Sequence, residues 1–241
     1  MILACMMFVC LSLVAQTAIP PTEGSGTAED PLHIDNFGHL YYITLLPSAW
    51  GLHFIQTADI DATDSVLIPS DEGSDHGWLP IGRRTTQFTG SYEGQGYHIL
   101  NLYMNRPSHE YNGLFGYIIG GRIQRVNLVN AEIHGGHYGG VLSGVAHANS
   151  IVSYCSATGS VSGTYNIGGL IGFSNDSLIM NSYAHVSASG WDRVGGFIGT
   201  SGWDDNNTYI SFCYSTGTAS ASSGLPQRML LGYRKLRITD R

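Results

Sequence analysis

The chain has 241 residues, of which 12% are charged and 32 are glycine, and its formal charge is −7 at pH 7. Lysine occurs once, at Lys235, and residues 1–223 hold 17 acidic against 6 basic residues. This composition excludes a disordered polyelectrolyte, which combines low hydrophobicity with high net charge, and a nucleic-acid-binding protein, which needs clustered Lys and Arg. The length is sufficient for a sizeable hydrophobic core.

The chain opens with MILACMMFVCLSLVAQTAIP, which is apolar from Ile2 to Ala15 and then turns polar and Pro-rich. An apolar run of this length is typical of a secretory signal peptide and is too short to span a bilayer. We predict a signal peptide over residues 1–18, cut near Ala15 or Ala18, and no transmembrane span in the mature chain. No Lys or Arg precedes the run, so an upstream start codon or an unusual signal stays open. A buried core segment and a lipid anchor at Cys5 are the alternatives.

The segment DNFGHLYYITLLP has the pattern of a short amphipathic helix. Asp35 or Asn36 is placed to cap its N-terminus, and Pro47 is placed to end it. Its predicted apolar face consists of Phe37, Leu40, Tyr41 and Leu45. The stretches LHFIQTADIDA and GYHILNLYM follow and have the pattern of short strands. Residues 19–111 are therefore expected to form an N-terminal cap and the first coils of the structure that the later repeats build.

Residues 112–223 consist of four similar units of 27 or 29 residues, which begin at Asn112, Gly139, Gly168 and Gly195. Each unit holds three short strand-like pieces separated by Gly, Asn, Ser or Asp turns. A repeat of this size without a helical period predicts one coil of a parallel β-solenoid. We therefore expect an all-β fold, a right-handed parallel β-helix whose short N-terminal helix covers the open edge of the first coil.

Each unit carries a box of the form Gly-apolar-apolar-Gly, but the second unit reads GVLSG from Gly140 to Gly144. Since that box has one additional residue, a local β-bulge is predicted there. Cys155 and Cys213 align with each other, two coils apart, and coils are about 4.8 Å apart. Their separation of roughly 9 to 10 Å exceeds the reach of a disulfide, so two buried free thiols are predicted. The other cysteines, at positions 5 and 10, should leave with the signal peptide.

The sequences GLFG (Gly113–Gly116), GLIG (Gly169–Gly172) and GFIG (Gly196–Gly199), with the strands that follow them, resemble the GLUG-motif repeats of bacterial surface and secreted proteins. The upstream stretches GSGTAEDPLHI, ADIDAT, WLPIG and FTGSYEGQGYHILNLYM are similar to the lead-in that such proteins carry. The resemblance covers roughly Gly24 to Ser223. It implies a β-solenoid exposed outside the cell, common in adhesin-like proteins and as an accessory region in some large surface peptidases.

The tail, residues 224–241, reads GLPQRMLLGYRKLRITDR and replaces the repeat composition with basic residues. Two interpretations stay open at this point. The tail is either an element that caps the solenoid, since solenoid ends need protection, or a truncated or frame-shifted reading of a longer protein.

Candidate metal-binding residues in the sequence have simpler structural interpretations. The segment HEYNG, which begins at His109, lacks the second histidine of the zinc-protease motif. His134 and His137 in HGGH supply two imidazoles without a third ligand nearby. Asp59 and Asp61 fit an alternating strand with outward carboxylates, because no calcium-binding loop follows them. We predict no metal site and no cofactor.

Catalytic patterns are also lacking in the sequence. Residues 112–223 hold five acidic residues without the evident pair that a polysaccharide-degrading β-helix needs. No nucleophile elbow, phosphate loop or Cys-His signature is present, so no catalytic residue is predicted. Aromatic residues within the repeat strands are expected in the core. The loop residues that can stack on sugars or anchor a protein partner, with the acidic residues beside them, are Trp191, Trp203, Asp204 and Asp205.

The sequence therefore predicts a non-enzymatic, secreted or cell-surface β-solenoid, an adhesin-like scaffold or binding region. Its expected partner is a host or cell-surface protein or a glycan, and not nucleic acid. A polysaccharide-active β-helix enzyme and an accessory segment of a larger surface peptidase are the alternatives.

Overall fold

The computed structural model of the protein describes residues 17–69, 75–202 and 208–223, and the backbone alone of residues 231–234. Most of the predicted signal peptide and of the predicted basic tail lies outside these residues. No helix among the described residues is long and apolar enough to cross a membrane.

The described chain begins with strand β1 (Leu32–Ile34), followed by helix α1 (Phe37–Leu45). The side-chain oxygen of Asn36 accepts the backbone amide of His39 at 2.9 Å and so caps the helix, as the sequence predicted. β1 is the terminal strand of its sheet, so the helix that follows it lies at that end of the stack.

The buried face of α1 differs from the prediction at its last residue. Phe37 and Leu40 are buried, and the Phe37 ring lies 6.0 Å from the Trp78 ring. Leu45 is 49% exposed, whereas Thr44 is fully buried. Because successive residues turn by 100°, Thr44 returns to the direction of Phe37 and Leu45 points well to the side. The assignment of Leu45 to the apolar face was therefore wrong.

Short strands follow the helix and build the early part of the stack. They are β2 (His53–Gln56), β3 (Ile60–Asp61), β4 (His76–Gly77), β5 (Ser91–Glu93), β6 (His98–Leu100) and β7 (Tyr103–Arg106). β2 pairs with β5 and β3 pairs with β6, both in parallel. This confirms that LHFIQTADIDA and GYHILNLYM belong to early coils.

The repeat region supplies the next fourteen strands, which include the longest described ones, and one further strand lies in the predicted tail. They are β8 (Phe115–Ile119), β9 (Arg122–Gln124), β10 (Asn127–Gly135), β11 (Gly139–Gly140), β12 (Ser143–Ser153), β13 (Ser156–Ser162), β14 (Tyr165–Gly168), β15 (Ile171–Met180), β16 (Tyr183–Gly190), β17 (Asp192–Gly195), β18 (Ile198–Ser201), β19 (Tyr209–Ser211), β20 (Tyr214–Ser215), β21 (Ala219–Ala221) and β22 (Leu231–Arg234).

These strands form three stacked sheets, which confirms the parallel β-solenoid. The first sheet runs in the order β1-β2-β5-β9-β12-β15-β18-β22, the second β3-β6-β10-β13-β16-β20, and the third β11-β14-β17. Among the described pairings, β4 with β7 is antiparallel and the others are parallel. Each unit therefore contributes one strand region to each of three faces, as the three strand-like pieces per unit predicted.

The boxes of the repeat stack directly on one another. Phe115, Ser143, Ile171 and Ile198 pair in consecutive coils, at spacings of 27 or 28 residues. The residues that precede them line the core and are fully buried, namely Leu114, Leu142, Leu170 and Phe197. Stacking in register thus converts the repeat into columns of like side chains that share one hydrophobic interior.

The predicted bulge in the second box is wrong. Gly140 pairs with Gly168, so Val141 occupies the place of the first box glycine and the box contains no additional residue. The register shift between β12 and β15 lies instead between His147 and Ser150. The two residues there, Ala148 and Asn149, adopt positive φ angles of 49° and 64°. The additional residue of the second unit therefore lies at Ala148 and Asn149, where β12 interrupts its hydrogen bonding with β15.

The cysteines are free and two coils apart, as the repeat alignment predicted, but the predicted burial is confirmed for Cys155 and wrong for Cys213. Cys155 and Cys213 are free, with Ser182 in the coil between them, and the Ser182 hydroxyl accepts the Cys155 amide at 3.1 Å. Cys155 is buried, whereas Cys213 is half-buried. Burial raises the pKa of the Cys155 thiol to about 12 and also raises that of Cys213.

These thiols should differ in alkylation rate. Because the thiolate is the nucleophile, iodoacetamide at pH 8 should leave Cys155 unlabelled in the folded protein and label Cys213 slowly. Peptide mapping by mass spectrometry identifies each labelled cysteine, and guanidinium chloride should make both react fully. Labelling of Cys155 at the same rate with and without denaturant would contradict its burial.

Candidate functional site

One corner of the solenoid is built from residues in the left-handed backbone region. Tyr111, Tyr138, Asn166 and Arg193 occupy this corner in consecutive coils, with φ angles of 64°, 57°, 58° and 58°. Non-glycine residues adopt this conformation uncommonly. Its recurrence in four coils shows that the stack imposes it. In the first two of these coils the corner residue is a tyrosine.

The last glycine of each box lets this corner approach the first sheet. A Cβ atom on Gly144 would lie 2.6 Å from the Tyr138 carbonyl oxygen, and one on Gly172 would lie 2.7 Å from the Tyr138 carbonyl carbon. No side chain fits at such distances, so glycine is required there. The close approach brings Tyr111 and Tyr138 beside the outward residues of β8, β12 and β15.

The result is an aromatic cleft, lined by Tyr111, Tyr117, Tyr138, Val145 and Phe173 together with a polar rim. The rings of Tyr111 and Tyr138 stack at 5.1 Å with an interplanar angle of 11°. The Tyr117 ring lies 5.2 Å from Tyr111, and the Phe173 ring meets Tyr138 edge-on at 6.0 Å.

Val145 forms the floor of the aromatic cleft. It pairs with Tyr117 on one side and with Phe173 on the other, so a small side chain separates two aromatic residues of one column. The cleft volume is about 330 Å³. That volume is near the lower end of small-molecule sites, which suits a ligand of one or a few rings.

Three charged or polar side chains form the rim of the cleft: Arg84, Glu110 and His137. Arg84 belongs to a turn in which the Arg83 amide donates to the Thr86 carbonyl at 2.7 Å. Glu110 and His137 directly precede the two stacked tyrosines. The rim therefore offers hydrogen-bond donors and acceptors above an apolar floor.

The pKa values of two cleft tyrosines, Tyr111 and Tyr117, are raised above the usual value. Burial, together with the hydrogen bond to the Glu110 carboxylate, raises the pKa of Tyr111 to about 12. Burial also raises the pKa of Tyr117, against the opposing charge of Arg84. The Tyr111 hydroxyl thus donates to the Glu110 carboxylate and holds it at the rim.

A second cavity of about 230 Å³ shares Glu110 and Tyr111 and extends the groove towards Arg83.

The candidate residues named from the sequence lie elsewhere. Trp191 is 53% exposed and belongs to the coil of Arg193, two coils beyond Tyr138, so it does not line the cleft. Trp203, Asp204 and Asp205 lie outside the described residues.

The residues considered for metal binding make other contacts. His134 contacts Glu132 at 2.8 Å and Ser162 at 2.6 Å through its two ring nitrogens. The His137 ring lies 5.0 Å from that of Tyr165 and lines the cleft. Within residues 17–69, 75–202 and 208–223, no group of three or more His, Cys, Asp or Glu is arranged to hold a metal ion.

The Asp59 and Asp61 carboxylates accept hydrogen bonds at the surface. Asp59 accepts the His98 amide at 2.8 Å, and Asp61 accepts the Thr63 hydroxyl at 2.6 Å. These bonds hold the pKa of both carboxyl groups below its usual range.

Several strand and corner aromatics expected in the core are exposed. Their exposed fractions are 55% for Tyr154, 38% for Tyr183, 49% for Tyr209, 83% for Phe212 and 54% for Tyr214. Tyr154 and Phe212 have φ angles of 56° and 52°, and such corner residues point away from the interior. The sequence signal that was missed is the tyrosine directly before the NG or GG that opens a unit, as in HEYNG and HYGG.

Comparison with known proteins identifies relatives in sequence and a shared fold, but no family. No family model matches the chain. The chain is 37% identical over 171 residues to halomucin of Haloquadratum walsbyi, a match that covers 69% of this chain and 2% of halomucin. It is 38% identical over 95 residues to the “Putative Gly-rich membrane protein” of Evansella cellulosilytica, covering 39% of this chain and 10% of that protein. The chain thus spans a small part of the length of both relatives.

A solved structure shares the fold. The crystal structure of a “putative immunoglobulin A1 protease” from Bacteroides ovatus superposes with a TM-score of 0.68 at 23% sequence identity. The match covers 87% of this chain and 63% of the other. At this identity the likeness concerns the β-solenoid architecture alone.

Proposed function

We propose that this chain is an exported, non-enzymatic β-solenoid that acts as an adhesin-like surface scaffold and binding region for a glycan or a protein. The aromatic cleft carries the proposal, because it joins apolar walls to a rim of donors and acceptors as ligand sites do. The non-enzymatic part rests on the sequence, which supplies no recognised catalytic pattern.

The frame of the cleft supports a binding role. The Tyr111 amide donates to the His137 carbonyl at 3.0 Å, and the Tyr138 amide donates to the Tyr165 carbonyl at 2.9 Å. The backbone that carries both tyrosines is thus bonded from coil to coil. A ligand that docks on groups already held in place loses less affinity to their ordering.

Export is supported by the apolar opening of the sequence, by the resemblance to GLUG-motif surface proteins and by the name of one relative, “Putative Gly-rich membrane protein”. Of the two predicted signal cleavage positions, the structure favours Ala15. Ala18 packs against the core, and the Ile19 amide donates to the Gly38 carbonyl at 3.0 Å. Cleavage after Ala15 leaves Ala18 in place.

Binding is tested by probing the full chain, fluorescently labelled, against one array of neutral and charged glycans and one of extracellular and cell-surface proteins. We expect saturable binding to at least one class, lost on Tyr138→Ala. Tyr214→Ala is the matched control, because Tyr214 belongs to a second stacked tyrosine pair, 5.2 Å from Tyr183. Absence of saturable binding on both arrays would reject the binding function.

A further inference from the structure

We infer that the aromatic cleft binds a neutral saccharide unit, a choice of ligand class that rests on the proposed binding function. The cleft holds one to a few rings by volume, and its floor and walls are apolar where Val145, Tyr117 and Phe173 meet. A pyranose ring presents C–H groups on its faces and hydroxyls around its edge. The C–H groups suit aromatic surfaces, whose faces carry partial negative charge.

The rim matches hydroxyl groups, which act as both donors and acceptors. Arg84 offers donors only, and Glu110 offers acceptors that remain after its bond from Tyr111. His137 and the tyrosine hydroxyls offer both kinds. A guanidinium and a carboxylate at the rim of one apolar floor can together bind neighbouring hydroxyls of a sugar ring.

The charges of the site argue against ionic ligands. A cationic ligand would be repelled by Arg84 in the cleft and by Arg83 in the adjoining cavity. An anionic ligand would be repelled by Glu110, which lines both cavities. The chain as a whole carries a formal charge of −7, which repels polyanionic glycans at a distance. A neutral polyhydroxyl ligand avoids both penalties and uses both charged groups as hydrogen-bond partners.

The cleft is confined along the solenoid, which limits the number of sugar units it takes. At the corner, Asn166 and Arg193 replace the tyrosines in the next two coils, and Thr200 follows Phe173 in the sheet column. The Asn166 side chain accepts the Thr200 hydroxyl at 2.6 Å, so polar contacts occupy the aromatic positions there. On the other side, the turn that carries Arg84 lines the cleft with a polar side chain. The aromatic surface therefore spans the coils of Tyr117, Val145 and Phe173, enough for a short saccharide.

The test is isothermal titration of the full chain with neutral oligosaccharides of glucose, galactose, mannose or N-acetylglucosamine. Two further arms use oligosaccharides containing sialic or glucuronic acid, and short acidic or basic peptides. We expect at least one neutral oligosaccharide to bind with a Kd of about 10 µM to 1 mM, as suits a ligand of this size. The charged arms should bind at least about tenfold more weakly.

Variants then locate the binding. Val145→Phe places a third ring between Tyr117 and Phe173 and fills the floor, so it should abolish saccharide binding. Tyr138→Ala should weaken binding by roughly tenfold or more, and Tyr138→Phe should weaken it less because the ring stays. Tyr214→Ala should leave binding unchanged. Thermal melting and circular dichroism establish that each variant is folded, and the Tyr138 variants decide the matter if Val145→Phe does not fold.

The outcomes separate this inference from the broader proposal. Binding of charged sugars or peptides alone, lost on Val145→Phe, would overturn the neutral ligand and leave the binding function standing. Neutral saccharide binding that survives both Val145→Phe and Tyr138→Ala would overturn the assignment to the cleft. If no neutral oligosaccharide, acidic oligosaccharide or peptide binds, and no binding is found on the glycan and protein arrays, both this inference and the proposed binding function are overturned.

Discussion

Replacing Phe115 with alanine should lower the free energy of unfolding by about 3–5 kcal/mol, the range for a phenylalanine deleted from a packed core. Phe115 is fully buried, and its ring lies 5.0 Å from that of Phe88 and 5.9 Å from that of Tyr92. This aromatic cluster joins the early coils to the first repeat unit, so the cavity left behind lies within the stack. Far-UV circular dichroism during thermal unfolding should show a midpoint lower by roughly 6–20 °C.

Phe212→Ala is the matched control for this experiment. The same atoms are removed, but the Phe212 side chain is 83% exposed at a corner, so the change should stay within about 0.5 kcal/mol. Similar losses for the two variants would contradict the placement of Phe115 inside and Phe212 outside the coil.

The stacking of the coils could be predicted from the sequence because repetition reports on it directly. Cys155 and Cys213 occur at the same place in two units, and the structure puts them at the same place in two coils with Ser182 between. A solenoid coil contacts mainly its neighbours, so recurrence along the chain becomes a column in space. The direction of single corner side chains could not be predicted in this way. Tyr154 recurs like a core residue and yet is 55% exposed, because its left-handed backbone turns it outward.

The cleft could not be predicted because it depends on register to a single residue. Pairing Gly139 with Gly168, as the paired glycines of the sequence suggest, would place Gly144 between Tyr117 and Phe173. The structure pairs Gly140 with Gly168, and this places Val145 there instead. A shift by one residue turns every side chain of a strand to the other face.

Arg84 poses a different difficulty for sequence reasoning. It reaches the cleft from a turn upstream of the repeats, where no periodicity marks its position. Nothing in the local sequence relates it to tyrosines that lie one or two coils further on. Polar residues contributed by such turns can be assigned to a site only when the coil contacts are known.

Gly144→Ala should destabilise the protein by about 3 kcal/mol, at the upper end of the usual cost of overpacking. The added methyl group would lie 2.6 Å from the Tyr138 carbonyl oxygen and 2.7 Å from the Asn112 amide nitrogen. Backbone on both sides cannot rotate away as a side chain can, so the corner must move off the sheet. Thermal and urea unfolding measure the loss of stability.

Gly51→Ala adds the same methyl group where its nearest neighbour is the Thr89 hydroxyl at 3.5 Å, an ordinary contact. That control should stay within about 0.5 kcal/mol of the parent chain. Because Gly144 holds the corner that carries Tyr138 against the sheet, Gly144→Ala should also change the near-UV circular dichroism of the tyrosines, whereas Gly51→Ala should not. Equal tolerance of the two alanines would mean that the corner does not lie against the sheet, and the cleft would then lose the wall formed by Tyr111 and Tyr138.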